Sequence, residues 1–446
     1  MMSLRDWPAH PGPGPAVKVA RDEVLKEELY RAKLPSGLEI FVLPKKGFAR
    51  KYATFATRYG SVDSKFVVPG EVEPAEVPEG IAHFLEHKLF EEEWGSVFDK
   101  FAELGADCNA YTDYTTTTYL FSATDHFSQC LDLLIDFVQR PYFTDENVAK
   151  EKGIIEQELR MYLDDPGERV RVNLLQALYQ KHPVRVEIGG TVESIQRIDK
   201  ETLYRCYRTF YHPSNMVVFV VGEVDPRGVI EQVAGNVARK GYGPQAEIRR
   251  LFPEEPDDIE QAWVSADLSV SQPLFRMGFK DVRTGGDGAD LVRREAVTRV
   301  ILEALVGKGS TLYQRLYEEG LVDARFGADY TVERDFGYST IGGETKDPER
   351  LQVLLLNGIN AARDRGIPAA DFERCRRKLA GEALSLLDNF PNLAYTFNDW
   401  YFKGALVFDY LKALQSLTLE AVNDRLREHL DTGLHAVSVV YPKEGR

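Results

Sequence analysis

The residues best suited to do chemistry stand within five positions, His83-Phe84-Leu85-Glu86-His87. At about 100° per residue of α-helix, His83, Glu86 and His87 share an arc of roughly 100°. Leu85 and Leu89 then point to the back, where they can bury. Two neutral imidazoles at i and i+4 can hold one divalent cation, and a carboxylate beside the second can reach a water on that cation without ligating it. That is the layout of a hydrolytic zinc site, and it requires a third ligand from elsewhere. The five residues alone do not establish it, because most histidines of a globular chain are surface or satisfied core residues.

A second segment offers the missing carboxylate. Thr144-Asp145-Glu146 reads as a capped, acidic first turn of a helix that continues through Glu151 to Tyr162. Glu151 and Glu158 are seven residues apart and share a face. On pattern alone this is either a ligand-bearing helix or a solvated acidic one.

HxxEH, then about seventy residues, then a helix with ExxxxxxE closing on Asp164-Asp165-Pro166 resembles the pitrilysin family of inverzincin metallopeptidases, which includes mitochondrial processing peptidase and insulin-degrading enzyme. Gly105-Ala106-Asp107-Cys108-Asn109-Ala110-Tyr111-Thr112 is similar to the family's Gly-Ala-x-x-Asn-Ala-x-Thr strand, and Tyr211-His212-Pro213-Ser214-Asn215-Met216 to its Tyr-x-Pro-x-Asn-Met turn. These features span residues 36 to 226 in the family's order.

The resemblance implies that His83, His87 and Glu158 hold Zn2+, with a fourth position for water, and that Glu86 is the general base of peptide hydrolysis. Glu151, about 10 Å along the helix from Glu158, is expected to accept a hydrogen bond from a ligand imidazole; the competing reading is a plain surface carboxylate. Asn109 and Ala110 fall on a strand that the family uses as an edge, where an extended peptide substrate adds as a further strand.

The elements that must position these residues occur twice, at an offset near 220 residues. Leu85-Glu86 through Gly95-Ser96-Val97-Phe98, Gly105 and Tyr111-Thr112 run parallel to Leu302-Glu303 through Gly309-Ser310-Thr311-Leu312-Tyr313, Gly320 and Tyr330-Thr331. Apolar alternation at 38–43, 52–59 and 119–123 predicts strands, and 3.6-residue periodicity at 127–140 predicts a helix. There is no regular βαβ rhythm, so the expected fold is α+β: two homologous domains, each a mostly antiparallel sheet packed with helices. The expected boundaries are 14–241 for the catalytic domain, 242–258 for a Gly- and Pro-rich linker and 259–446 for the second domain. In the family such domains face each other across a chamber. The second copy has Val300, Ala304 and Ala383 where the first has His83, His87 and Glu158, so only one copy carries the site.

One departure from the family concerns partners. Many members carry an Arg and a Tyr in the second domain that hold substrate; here those places read Ser310-Thr311-Leu312-Tyr313 and Val322-Asp323-Ala324. Either Arg315 or Tyr330 substitutes from nearby, or a related non-zinc subunit supplies the groups in a heterodimer. The expectation is a dimer, a heterodimer in preference to a homodimer. Two rival functions remain: a non-proteolytic assembly subunit, disfavoured by the intact metal motif, and a mononuclear iron enzyme, since two histidines and one carboxylate also form a facial triad. The extra carboxylate at Glu86 argues for hydrolysis.

Composition bounds the rest. A net charge of −15 argues against a nucleic-acid partner, because phosphate binding draws on clustered Lys and Arg. Cysteines 108, 130, 206 and 375 show no CxxC spacing, so neither a disulfide framework nor a thiolate metal site is implied. No apolar run is long enough to span a bilayer, and Pro and charges occupy the start of the chain where a signal peptide needs an apolar core. The expected location is therefore the cytoplasm, away from membranes.

Overall fold

The strand Met216–Gly222, Met-Val-Val-Phe-Val-Val-Gly, is buried at every position, which demands cover on both faces of its sheet. In a computed structural model, which describes residues 9–10, 15–22 and 25–443, this strand runs parallel to Glu39–Pro44 and antiparallel to Lys51–Thr57. Thr117–Ala123 and Asp107–Thr112 extend the sheet on one side, leaving Asp107–Thr112 as its edge. On one face Ile40, Val42, Ala53, Phe55, Val218 and Val220 enter the main core cluster with Leu131, Leu134 and Ile135 of helix Phe127–Val138. The alternate residues need a different partner, because successive side chains of a strand point to opposite faces. Phe397 of helix Phe390–Lys403 provides it, with its ring centroid 4.0 Å from that of Phe219 and 5.1 Å from that of Phe41. Beside it Asn398 Nδ2 donates to Thr54 Oγ1 at 3.1 Å.

A second sheet repeats the order. Trp263–Leu268 pairs in parallel with His435–Pro442, which pairs antiparallel with Leu274–Lys280, followed by Gly337–Glu344 and the edge strand Gly327–Val332. Helix Pro166–Leu178, from the first half of the chain, lies on this sheet. Gly278 permits its approach: a β-carbon there would sit 2.9 Å from Leu178 Cδ1 and 3.0 Å from Leu174 Cδ2. Tyr179 Oη donates to the Gly337 carbonyl at 2.6 Å.

The compact units therefore depart from the contiguous segments 14–241 and 259–446 expected from the sequence. Among the described residues, one comprises those up to Leu159 with Glu187–Leu251 and Leu386–Phe402, the other Arg160–Val186, Phe252–Ser385 and those from Lys403 onward; residues 14, 23–24 and 444–446 of the expected segments lie outside the described residues. Each repeat contributes one helix to the unit built on the other repeat's sheet. The physical reason is the two-faced sheet, whose second face needs apolar cover that its own repeat does not supply.

The expected linker 242–258 is also more tightly held than its composition suggested. Arg249–Arg250 pairs antiparallel with Lys65–Val67 in the first unit. Glu255 accepts the backbone N–H groups of Gln180, Lys181 and His182 at 2.9, 2.7 and 2.7 Å and the Lys280 ammonium at 2.6 Å in the second. Burial raises the Glu255 carboxyl, but these donors outweigh it and hold the pKa below its usual range.

The second unit also decides the fate of Tyr330. It is 2% exposed, donates to the buried Asp281 carboxylate and lies under the Arg425 guanidinium, 5.8 Å from the ring centroid. A hydroxyl locked in that network is not available to hold a substrate, which removes Tyr330 as a substitute for the missing family tyrosine. Arg315 is paired with Glu319 at 2.8 Å on an exposed helix face.

Candidate metal centre

Helix Ile81–Lys88 is anchored from behind by Phe84 and Leu85, both fully buried, and by Leu89 just beyond its end. Its entry is set by Gly80, in the left-handed region at φ 84° and packed against the backbone of Gly189, where a β-carbon would collide with the carbonyl. With the apolar side fixed in the core, His83, Glu86 and His87 project from the opposite side, each partly buried. Helix Asp145–Asp164 brings Glu151 and Glu158 to the same place; its start is capped by Thr144, whose Oγ1 accepts from Asn147 N at 3.1 Å.

His83 Nε2 lies 3.8 Å from Glu158 Oε1, and His87 Nε2 lies 3.4 Å from Glu158 Oε2. One donor atom from each of the three residues falls within 4.8 Å of the others, the only such group of three or more among the described residues. The imidazole rings meet edge to face, with centroids 4.5 Å apart. Behind them Glu151 Oε1 is 3.1 Å from His87 Nδ1. A bond from that nitrogen's proton leaves Nε2 with its lone pair towards Glu158. Glu151 is buried, and its Oε1 faces the imidazole rather than solvent.

The electrostatics suit a cation. Burial, helped by the neighbouring His87, pushes the His83 imidazole down to about 4, so it is neutral at physiological pH and able to donate a lone pair. Burial also pushes His87 down, but the Glu151 hydrogen bond and the charges of Glu86 and Glu158 outweigh it and raise its pKa. Burial raises Glu86, opposed by the hydrogen bond that its Oε2 accepts from Thr112 Oγ1 at 2.6 Å. Zinc bonds of about 2.0–2.2 Å at tetrahedral angles separate donors by roughly 3.4 Å. The separations of 3.4 and 3.8 Å, each to a different oxygen of Glu158, lie near that value, and a donor set of two imidazoles and one carboxylate fits the ion.

The residues expected on the edge strand take different environments. Asn109 is exposed and its Oδ1 accepts from Ala110 N at 2.8 Å, while Ala110 is half-buried and packs against the main core. Among the described residues no hydrogen bond or ion pair joins either side chain to the clustered donors; the strand's bond to this helix is made to Glu86 by Thr112, two residues on and on the same face as Ala110. The strand motif contains Thr112 but assigns it no task, and no motif includes Lys88, a fully buried lysine directly after His87. Period-2 alternation from Ala110 carried a signal for Thr112, whereas for Lys88 the signal was a charge on the helix where a core residue would be expected.

Comparison with known proteins shows the family. A family model described as insulinase (peptidase family M16) matches residues 68–192, and one described as the peptidase M16 inactive domain matches 197–379. The Bacillus subtilis chain named "Uncharacterized zinc protease YmfH" is 43% identical over 427 residues, covering 96% of this chain and all of that one. A crystal structure of an M16-like chain from Alicyclobacillus acidocaldarius superposes with a TM-score of 0.90 at 41% identity, covering 94% of this chain and 99% of that one. A third relative, named "Probable mitochondrial-processing peptidase subunit beta" in Arabidopsis thaliana, is 25% identical over 337 residues, covering 71% of this chain and 61% of that one. On these matches, and with a doubled fold whose first copy alone brings two histidines and a glutamate together, the chain belongs to peptidase family M16, the insulinase family.

Proposed function

We propose that the chain is a zinc-dependent endopeptidase acting on peptides or unfolded segments within an enclosed chamber. The observation that carries this reading is the convergence of His83, His87 and Glu158 with Glu86 on the same helix side, one turn from His83 and outside the donor triad. His83, His87 and Glu158 would hold Zn2+. Bound there, the ion supplies a Lewis acid for the scissile carbonyl and lowers the pKa of a water towards about 7. Glu86 takes the proton of the attacking water as general base and delivers it to the departing amine. Thr112 holds Glu86 in place for both transfers, and the Glu151 carboxylate fixes the orientation of the His87 ring. The edge strand Asp107–Thr112, with Asn109 and Ala110 at its centre, offers its outer backbone to an extended peptide.

The test is a pair of measurements on the purified chain. Metal analysis should find about one zinc per chain, and Glu86→Gln should retain it while peptide hydrolysis falls by roughly 10²–10⁴-fold. Unchanged turnover would remove Glu86 from the mechanism, and a redox metal in place of zinc would favour the facial-triad reading.

A heterodimer with a related subunit that lacks the metal motif extends this reading. It is supported by the engagement of Tyr330 in its own unit and by the likeness to a chain named as one subunit of a processing peptidase. The isolated chain would then be nearly inactive on peptides that the reconstituted pair cuts, and full activity alone would leave a homodimer or monomer. Among the described residues no helix is long and apolar enough to cross a membrane; a cytoplasmic location is part of the same proposal.

A further inference from the structure

Lys88 follows His87 directly and its side chain has no solvent exposure. Its neighbours on the helix, Phe84, Leu85 and Leu89, belong to the apolar core. Taking an ammonium out of water costs several kcal/mol, and apolar residues of similar volume commonly replace buried ion pairs without loss of stability. A charge at this position therefore calls for a task other than packing.

The ammonium contacts two carboxylates, Glu91 Oε2 and Glu151 Oε2, the latter at 3.4 Å. The other oxygen of Glu151, Oε1, is the one that lies 3.1 Å from His87 Nδ1. Glu151 is thus held at both oxygens, by adjacent residues of the helix that carries the metal motif. Turning Oε1 away from the imidazole would also break the ammonium contact at Oε2, so the pairing at Oε2 favours the ring orientation seen here.

We propose that Lys88 is a positioning residue: by gripping Glu151 Oε2 it holds Oε1 against His87 Nδ1 and so keeps the His87 ring oriented, with Nε2 presented to the metal. This rests on the zinc reading above and adds to it a residue outside the HxxEH and ExxxxxxE patterns.

The test compares the native chain with Lys88→Met, Glu151→Gln and the double variant. Zinc affinity is read by competition with a chromophoric chelator, ring geometry by the visible spectrum of the Co2+-substituted protein, and folding by thermal unfolding of the metal-free form. Removing a group that orients a metal ligand typically weakens binding by about 10–100-fold. Lys88→Met should lose about 10-fold and shift the cobalt bands, and the double variant should bind no more weakly than Glu151→Gln alone, because both act through one carboxylate. Lys88→Arg, which keeps the cation, should lie closer to the native chain than to Lys88→Met. Native affinity and cobalt bands in Lys88→Met would overturn the inference, as would losses that multiply in the double variant. If Lys88→Met does not fold, Lys88→Arg and Lys88→Gln carry the comparison, and equal binding by the two would overturn it. A native chain that binds no zinc would instead defeat the zinc reading itself.

Discussion

Thr112 Oγ1 donates to Glu86 Oε2 at 2.6 Å, joining the edge strand of the first sheet to the one acidic residue of helix Ile81–Lys88. Removing the hydroxyl as Thr112→Val costs a hydrogen bond to a charged group, worth about 1.5–3 kcal/mol. We expect kcat to fall by roughly tenfold or more with zinc content unchanged. The bond lowers the Glu86 pKa, so its loss raises it and moves the acid limb of kcat/KM to higher pH. An unmoved acid limb in the variant would show that Thr112 does not act through Glu86.

Zinc should stabilise the first unit, since a ligand that binds only the folded state raises its stability by mass action. Adding zinc to chelator-treated protein is expected to raise the melting temperature of the native chain and to leave Glu158→Ala and His83→Ala nearly unresponsive. Equal shifts in all three by calorimetry would place the ion elsewhere.

The exchanged helices make each unit depend on sequence from both halves. A chain ending at residue 241 lacks Phe397 and Asn398 and leaves the face of Phe41 and Phe219 uncovered. It is expected to aggregate when expressed alone. In the full chain Phe397→Ala should destabilise the first unit by about 3–5 kcal/mol, as for other large-to-small core changes. A soluble, cooperatively melting 1–241 fragment would contradict this account.

His429 sets an acid limit on the second unit. Burial pushes its imidazole down to about 3, against about 6.5 when unfolded, and its Nε2 bonds to Ser339 Oγ at 3.0 Å. Between those two values the unfolded chain binds a proton that the folded chain refuses. The stability from this group is therefore complete above the unfolded value and declines as pH falls, by about 1.4 kcal/mol per pH unit until the folded value is reached. Urea midpoints at pH 7 and pH 5 should show the native chain losing more stability than His429→Gln; parallel losses would exclude His429 as the source.

Much of the architecture is legible in the sequence. The alternation of 38–43, 52–59 and 119–123 appears as strands Glu39–Pro44, Lys51–Thr57 and Thr117–Ala123, and the repeat near 220 residues as two sheets with the same five-strand order. These are local signals, since period 2 and period 3.6 are written into neighbouring residues. The arc of His83, Glu86 and His87 is of the same kind.

What the sequence determined by itself was thus the doubled α+β plan, the family and the helix faces that carry the candidate ligands. Tertiary structure alone decided which helix covers which sheet, that Tyr330 is spent on Asp281, and that Thr112 and Lys88 stand behind Glu86 and Glu151. Those outcomes depend on contacts between residues up to several hundred positions apart, such as Phe41 with Phe397. No local period encodes such pairs; they are chosen when two-faced sheets and buried charges find the partners that offset their desolvation.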